Sequence, residues 1–184
     1  MIRLIDFLLS FLGILFLSPL MLMLLIFGFF DTGRPLFFQL RMGRNKSLFK
    51  LVKFRSMRKE TKSVSTHLVD KAMLTKFGKF IRKTKLDELP QLFNVFLGHM
   101  SLVGPRPNLP NQKELITFRD IYKVYSVRPG ITGLSQINEI DMSTPEKLAI
   151  MDHEMIARFD LKFYFSMIFT TISGKGFGDR VVKN

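Results

Sequence analysis

No cysteine occurs in the chain, which excludes disulfides and thiolate metal sites. Histidine is scarce: His67, His99 and His153 stand far apart, so no histidine cluster points to zinc. Acidic residues number 15 against 28 lysines and arginines, giving a net charge of +13. The partners this balance implies are anionic: nucleic acid, phosphorylated small molecules or anionic lipid head groups. There is no internal repeat and no domain linker, and 184 residues suit one domain that can bury a core.

Charge is absent from residues 7–30, FLLSFLGILFLSPLMLMLLIFGFF. About 20 apolar residues cross a bilayer core. No A-x-A-like small-residue site follows the run, so a permanent membrane segment is expected, not a cleaved signal peptide. Arg34, Arg41, Arg44, Lys46, Lys50 and Lys53 follow it, and the positive-inside bias places the remainder of the chain in the cytoplasm. Ser18-Pro19 lies mid-segment. Pro19 has no N–H for the Leu15 carbonyl and its ring clashes there, so a kink is expected. The Ser18 hydroxyl can satisfy part of the freed backbone. Two topologies fit these residues: a kinked span with Met1 outside the cytoplasm, and a re-entrant hairpin with both ends inside.

Residues 36–42 and 48–56 read as strands around the turn-like GRNKS at 43–47. Alternation in the second places Leu51, Lys53 and Arg55 on one face and Val52 and Phe54 on the other. Two neighbouring cations there suit a phosphate; an ordinary solvated basic strand has the same pattern. Residues 58–67 look like an irregular link. Over 68–83, Leu74, Phe77, Phe80 and Ile81 recur at helical spacing among Lys71, Lys76, Lys79, Arg82 and Lys83, as in a helix lying in a membrane interface or packed on a core. A further helical pattern covers 112–126, through Leu115, Phe118, Tyr122 and Tyr125. Arg128-Pro129-Gly130 has the order of a type II turn. Thr144 and Pro145 read as N-cap and first residue of a helix burying Leu148, Met151, Met155 and Phe159. The run FYFSMIFTTI at 163–172 is too short to span a bilayer, and the GKGFGDR tail reads as loosely ordered.

The densest chemistry lies in KLDELPQLFNVFLGHMSLVGPRP at 85–107. Asp87 and Glu88 precede Pro90, which is tolerated in a first helical turn, so the acidic pair falls at a helix N-terminus. Capping and dipole interaction explain such a pair without any catalysis. Arg106 adds more. Prolines on both sides restrict the backbone of Arg106 and Gly104 to extended conformations, and a guanidinium on a stiff loop matches phosphate oxygens at little entropic cost. With Lys53, Arg55 and Arg82, this composes a phosphate site.

The segments KFRSM at 53–57, IRKTKLDELPQLFNVFLGHMSLVGPRP at 81–107 and RPGITGLSQIN at 128–138 resemble the bacterial sugar transferase family, the small monotopic phosphoglycosyl transferases. The resemblance runs from the membrane segment to about Tyr164. It implies transfer of a sugar 1-phosphate from a UDP-sugar to polyprenyl (undecaprenyl) phosphate, with release of UMP. Asp87 corresponds to the nucleophile that forms a covalent phosphosugar intermediate, and Glu88 to the glutamate associated with Mg²⁺. Arg82 and Arg106 correspond to residues near the phosphates. Lys53, Arg55, Arg128 and Gln136 are the further substrate contacts expected within the matching motifs. Ser18-Pro19 corresponds to the helix break that makes the membrane segment re-entrant, with both ends cytoplasmic.

The implied fold is α+β and helix-rich. It has a re-entrant helix–break–helix over 1–30 and one catalytic domain over 31–184, with a small β-hairpin and amphipathic interfacial helices. The implied setting is the bacterial inner membrane with the catalytic domain facing the cytoplasm, at the first membrane step of glycoconjugate assembly (capsule, O-antigen or glycoprotein glycan). Downstream glycosyltransferases are possible partners, and nucleic acid is not one. Two positions depart from the family pattern. His99 stands where members commonly carry aspartate, and Glu139-Ile140 stands where many carry glycine-arginine. A different reading, a membrane-tethered basic module for nucleic acid or anionic lipid, accounts for the charge. It leaves the pairing of Asp87-Glu88 with a proline-flanked arginine unexplained.

Overall fold

The uncharged run folds as one helix, α1 (Ile2–Thr32), about 46 Å long at 1.5 Å per residue. By length and composition it is apolar enough to cross a membrane. Pro19 lies inside it, and the Ser18 hydroxyl donates to the Leu15 carbonyl at 2.8 Å. That carbonyl is the one a proline at position 19 leaves without a helical donor. The Ser18 hydroxyl thus takes the place of the missing N–H donor where α1 runs through Pro19.

The computed structural model describes residues 1–58 and 73–174. His67, Lys71, nearly all of the 58–67 link, the start of the 68–83 pattern and the GKGFGDR tail beyond Gly174 lie outside the described residues. After α1 comes an antiparallel hairpin, β1 (Leu36–Met42) and β2 (Leu48–Phe54), in the register Leu36 to Phe54 and Met42 to Leu48. A 3₁₀ turn at Arg44–Lys46 joins the strands. Helix α2 (Lys76–Lys83) starts where the Thr75 hydroxyl accepts from the Gly78 N–H at 2.8 Å. Leu74, expected in that helix, instead forms a bridge with Met57. Gly78 is required there, since a Cβ on it would stand 1.8 Å from the Ser56 carbonyl oxygen.

A 3₁₀ turn at Leu86–Glu88 leads into α3 (Gln91–Phe96), then β3 (Ser101–Val103) and α4 (Lys113–Ile121). A 3₁₀ turn at Val124–Ser126 precedes β4 (Gly130–Thr132), which pairs in parallel with β3. Helices α5 (Leu134–Ile137), α6 (Pro145–Ala157) and α7 (Leu161–Ile172) complete the described chain. The type II turn expected at Arg128-Pro129-Gly130 does not form: Gly130 has no positive φ and opens β4. Its missing side chain serves close approach instead, since a Cβ would meet the Gly104 nitrogen at 2.0 Å. Helix α6 begins at Pro145 as expected, but Thr144 makes no side-chain cap bond. Its buried face is Leu148, Ala149, Asp152 and Met155, with Met151 only half-buried.

Helix α1 contributes to two of the apolar clusters. Met21 and Leu24 pack with Phe54 and Ile81, while Ile2, Ile5 and Leu9 pack with Val103, Tyr164 and Met167. Between these contacts the Gly13 position lies against Leu92 of α3. The first turns of α1 are also held by polar bonds. Arg3 donates to the Val95 and Phe96 carbonyls at 2.6 and 2.7 Å, at the C-terminal end of α3, where a cation is favourable. The Asp6 carboxylate accepts from the Ser101 hydroxyl, the Leu102 N–H and the Tyr164 hydroxyl at 3.0, 2.9 and 2.7 Å. A third cluster, Phe49, Leu51, Val95 and Met100, joins β2 to α3.

Candidate active site

The acidic pair occupies the 3₁₀ turn between α2 and α3. Lys85 enters it in the left-handed conformation, at φ 55°, and the Glu88 N–H closes the turn on the Lys85 carbonyl at 3.1 Å. Both carboxylates are buried, Asp87 at 6% exposure and Glu88 at 9%. The pair lies one turn ahead of α3 proper, so it is not a cap of that helix. The side chain of Asn94 in α3 fixes the neighbouring strand: Oδ1 accepts from the Val52 N–H at 3.1 Å and Nδ2 donates to the Lys50 carbonyl at 2.8 Å. The next residue, Lys53, thereby reaches Glu88 at 2.7 Å.

Arg106 arrives from the loop after β3 and meets Glu88 at 3.1 Å. Burial alone would raise the Glu88 carboxyl. The charges of Lys53, Arg106 and Lys85 outweigh it and hold Glu88 well below the usual carboxylate range. Burial also pushes the Lys53 and Lys85 ammonium groups down, against the pull of Glu88. Arg41, on β1, belongs to the same field. It is pushed down to about 9, first by burial and then by the nearby charge of Arg106. Four cations thus surround two carboxylates, an excess of positive charge suited to a phosphorylated ligand.

The other expected contacts make hydrogen bonds to residues outside this cluster. Arg82 donates from Nε to the Ser56 hydroxyl at 2.8 Å, on the segment that leaves β2. Arg55 donates to the Arg34 and Leu36 carbonyls and lies over the Phe37 ring. Arg128 donates to the Gly98 carbonyl at 2.9 Å, and Gln136 to the Ile131 carbonyl at 3.1 Å. His99 stacks on Phe49, with centroids 5.9 Å apart, and His153 contacts the Tyr122 carbonyl. Glu139 adopts a left-handed φ of 58° just after α5.

Arg41, Lys85 and Arg119 were missed in the sequence. Arg119 is 2% exposed and donates to the main-chain carbonyl of Arg106 at 2.9 Å. One signal was available: Arg119 follows Leu115 by four residues and so shares the buried stripe of α4.

A divalent cation needs hard oxygen ligands. The ion pairs of Glu88 with Lys53 and Arg106 are both made through Oε1. Among the described residues no group of three histidine, cysteine, aspartate or glutamate side chains forms a metal cage. Magnesium is usually held by one or two carboxylates together with substrate phosphates, and Glu88 beside Asp87 fits that mode.

Residues 1–176 match the family described as Bacterial sugar transferase. The "Uncharacterized sugar transferase EpsL" of Bacillus subtilis is 46% identical over 121 residues, covering 65% of this chain and 59% of that protein. The "UDP-glucose:undecaprenyl-phosphate glucose-1-phosphate transferase" of Escherichia coli is 36% identical over 184 residues, covering 94% of this chain and 39% of that one. The "Exopolysaccharide production protein PSS" of Rhizobium leguminosarum is 33% identical over 196 residues, covering 95% and 97%. The chain therefore spans about three fifths of the first relative and two fifths of the second.

Proposed function

The chain belongs to the bacterial sugar transferase family, and from that membership we propose that it is a phosphoglycosyl transferase acting at a membrane surface. Its donor is a UDP-sugar and its acceptor undecaprenyl phosphate, the substrates named for the Escherichia coli relative. The observation that carries the reading is the convergence of Lys53 and Arg106 on Glu88, next to the buried Asp87.

In this mechanism an Asp87 carboxylate oxygen attacks the sugar-bearing phosphorus of the donor. The P–O bond to the other phosphate breaks, UMP leaves, and the sugar phosphate stays on Asp87 as an acyl phosphate. An oxygen of undecaprenyl phosphate then attacks the same phosphorus and releases the aspartate. Lys53 and Arg106 offset the repulsion between carboxylate and phosphate, and Glu88 fixes both cations. Glu88 is the residue that would hold a magnesium ion, which would supply further charge neutralisation when bound. A covalent intermediate divides transfer between a soluble donor and a lipid acceptor into two steps, with ping-pong kinetics.

The membrane reading is re-entrant, with both ends of α1 on the cytoplasmic face of the inner membrane. Two features support it: the contacts of both halves of α1 with the same domain, and the exposed apolar outer face that includes Phe16 and Phe30. Phe169 and Ile172 of α7 and Leu97 after α3 add exposed apolar surface for an interfacial seat. The pathway served is polysaccharide or other glycoconjugate assembly.

The test is UMP release across a panel of UDP-sugars with undecaprenyl phosphate. Asp87→Ala is expected to lower turnover at least about 10³-fold while the protein still folds, and mass spectrometry should find a phosphosugar on Asp87 when the acceptor is omitted. Ready turnover by folded Asp87→Ala would overturn the assignment. EDTA is expected to stop UMP release and added magnesium to restore it; full activity in the chelator would remove the metal from the mechanism.

A further inference from the structure

The loop that carries Arg106 is fastened by its main-chain oxygens. Pro105 and Pro107 have no N–H, so this stretch mostly accepts hydrogen bonds, and a buried acceptor needs a donor. Four successive carbonyls have one. Pro105 accepts from the Gly130 N–H at 2.9 Å and Asn108 from the Met42 N–H at 3.0 Å. The two between them are bound by buried arginines: Arg106 by Arg119 Nη1 and Pro107 by Arg41 Nη1, both at 2.9 Å.

Arg119 is itself fixed from three sides. Its Nη1 also donates to Asn108 Oδ1 at 3.0 Å, and its Nη2 donates to Asp152 Oδ2 at 2.7 Å. Asp152, on α6 and fully buried, accepts from the Ser135 hydroxyl of α5 at 3.0 Å. Asn108 Oδ1 also accepts from the Tyr125 hydroxyl at 3.1 Å. A connected path therefore runs from α5 through α6 and α4 to the main chain of Arg106. The Arg106 side chain meets Glu88 at 3.1 Å, and the position of its backbone sets where that side chain starts.

We propose that Arg119 is a positioning residue for phosphate transfer, acting through the Arg106 carbonyl and held in place by Asp152 and Ser135. The proposal rests on the reading of Arg106 as a phosphate clamp. The planar fork of an arginine serves these three acceptors together, whereas a lysine offers a point charge. Lysine at 119 keeps a cation for Asp152 but loses the fork, so the loop moves while the ion pair remains.

The experiment is a double-mutant cycle on kcat/KM for UMP release, with the UDP-sugar that the panel identifies and undecaprenyl phosphate. Arg119→Lys is expected to lower kcat/KM about 10- to 100-fold, mostly through kcat. Placed on Arg106→Ala it is expected to cost almost nothing more, because the group it positions is gone. Asp152→Asn is run through the same cycle and covers the case in which Arg119→Lys does not fold. Thermal unfolding of each variant separates loss of fold from loss of placement. Losses that multiply, or folded Arg119→Lys with native turnover, overturn the positioning role while the clamp stands. Arg106→Ala as fast as the native chain withdraws the clamp and the positioning role together.

Discussion

Glu88 carries two ion pairs on one oxygen, and that arrangement sets its response to acid. Because Lys53 and Arg106 hold its folded-state carboxyl below the ordinary 4.5, the carboxylate form is favoured by folding. The resulting stability is fully present above that ordinary value and is lost as pH falls below it, toward the folded-state value. In metal-free buffer the unfolding midpoint should therefore change little through Glu88 from pH 7 to 5 and drop more steeply below 4.5. Glu88→Gln should show a shallower acid limb, measured by thermal melts across pH; equal slopes would show that the pairs contribute nothing. The same variant should lower UMP release by roughly 10²-fold, since Lys53 and Arg106 lose the group that aims them.

Among the elements, α1 has two kinds of surface. Its outer face is exposed and apolar, while its first two turns carry the charged anchors Arg3 and Asp6. Asp6 lies 2% exposed under three donors from β3 and α7, so this end of the helix is part of the domain's interior. Asp6→Ala should leave the Leu102 N–H and the Tyr164 hydroxyl without an acceptor, at about 1–3 kcal/mol each. The expected readout is a lowered unfolding midpoint, with Asp6→Asn milder because its side-chain oxygen still accepts. A midpoint unchanged in Asp6→Ala would mean that the N-terminal turns do not fold with the domain.

For the molecule as a whole, the re-entrant proposal places the N-terminus on the cytoplasmic side of the bilayer. The absence of native cysteine makes labelling clean. A single cysteine appended before Met1 should react with a membrane-impermeant maleimide in inside-out vesicles and stay unlabelled in intact spheroplasts. The reverse pattern would indicate a span and would sink the re-entrant reading.

Much of this protein was legible in its sequence because the relevant signals are local. The uncharged run, the hairpin around GRNKS, Thr144-Pro145 at the start of α6, and the Ser18 hydroxyl bonded to the Leu15 carbonyl all depend on residues close together in the chain. Asp87, Glu88 and Arg106 were singled out by adjacency and flanking prolines, and their proposed roles came from the resemblance of the motifs around them. Tertiary structure decided what no spacing reveals: that Lys53 and Arg106, 35 and 18 residues from Glu88, meet on one oxygen, and that Gly130 is small for the sake of Gly104 rather than for a turn. It also decided the places of Arg41, Asp6, Arg119 and Asp152. Charged residues are expected outside, and only the partners brought to them by other elements make their burial affordable.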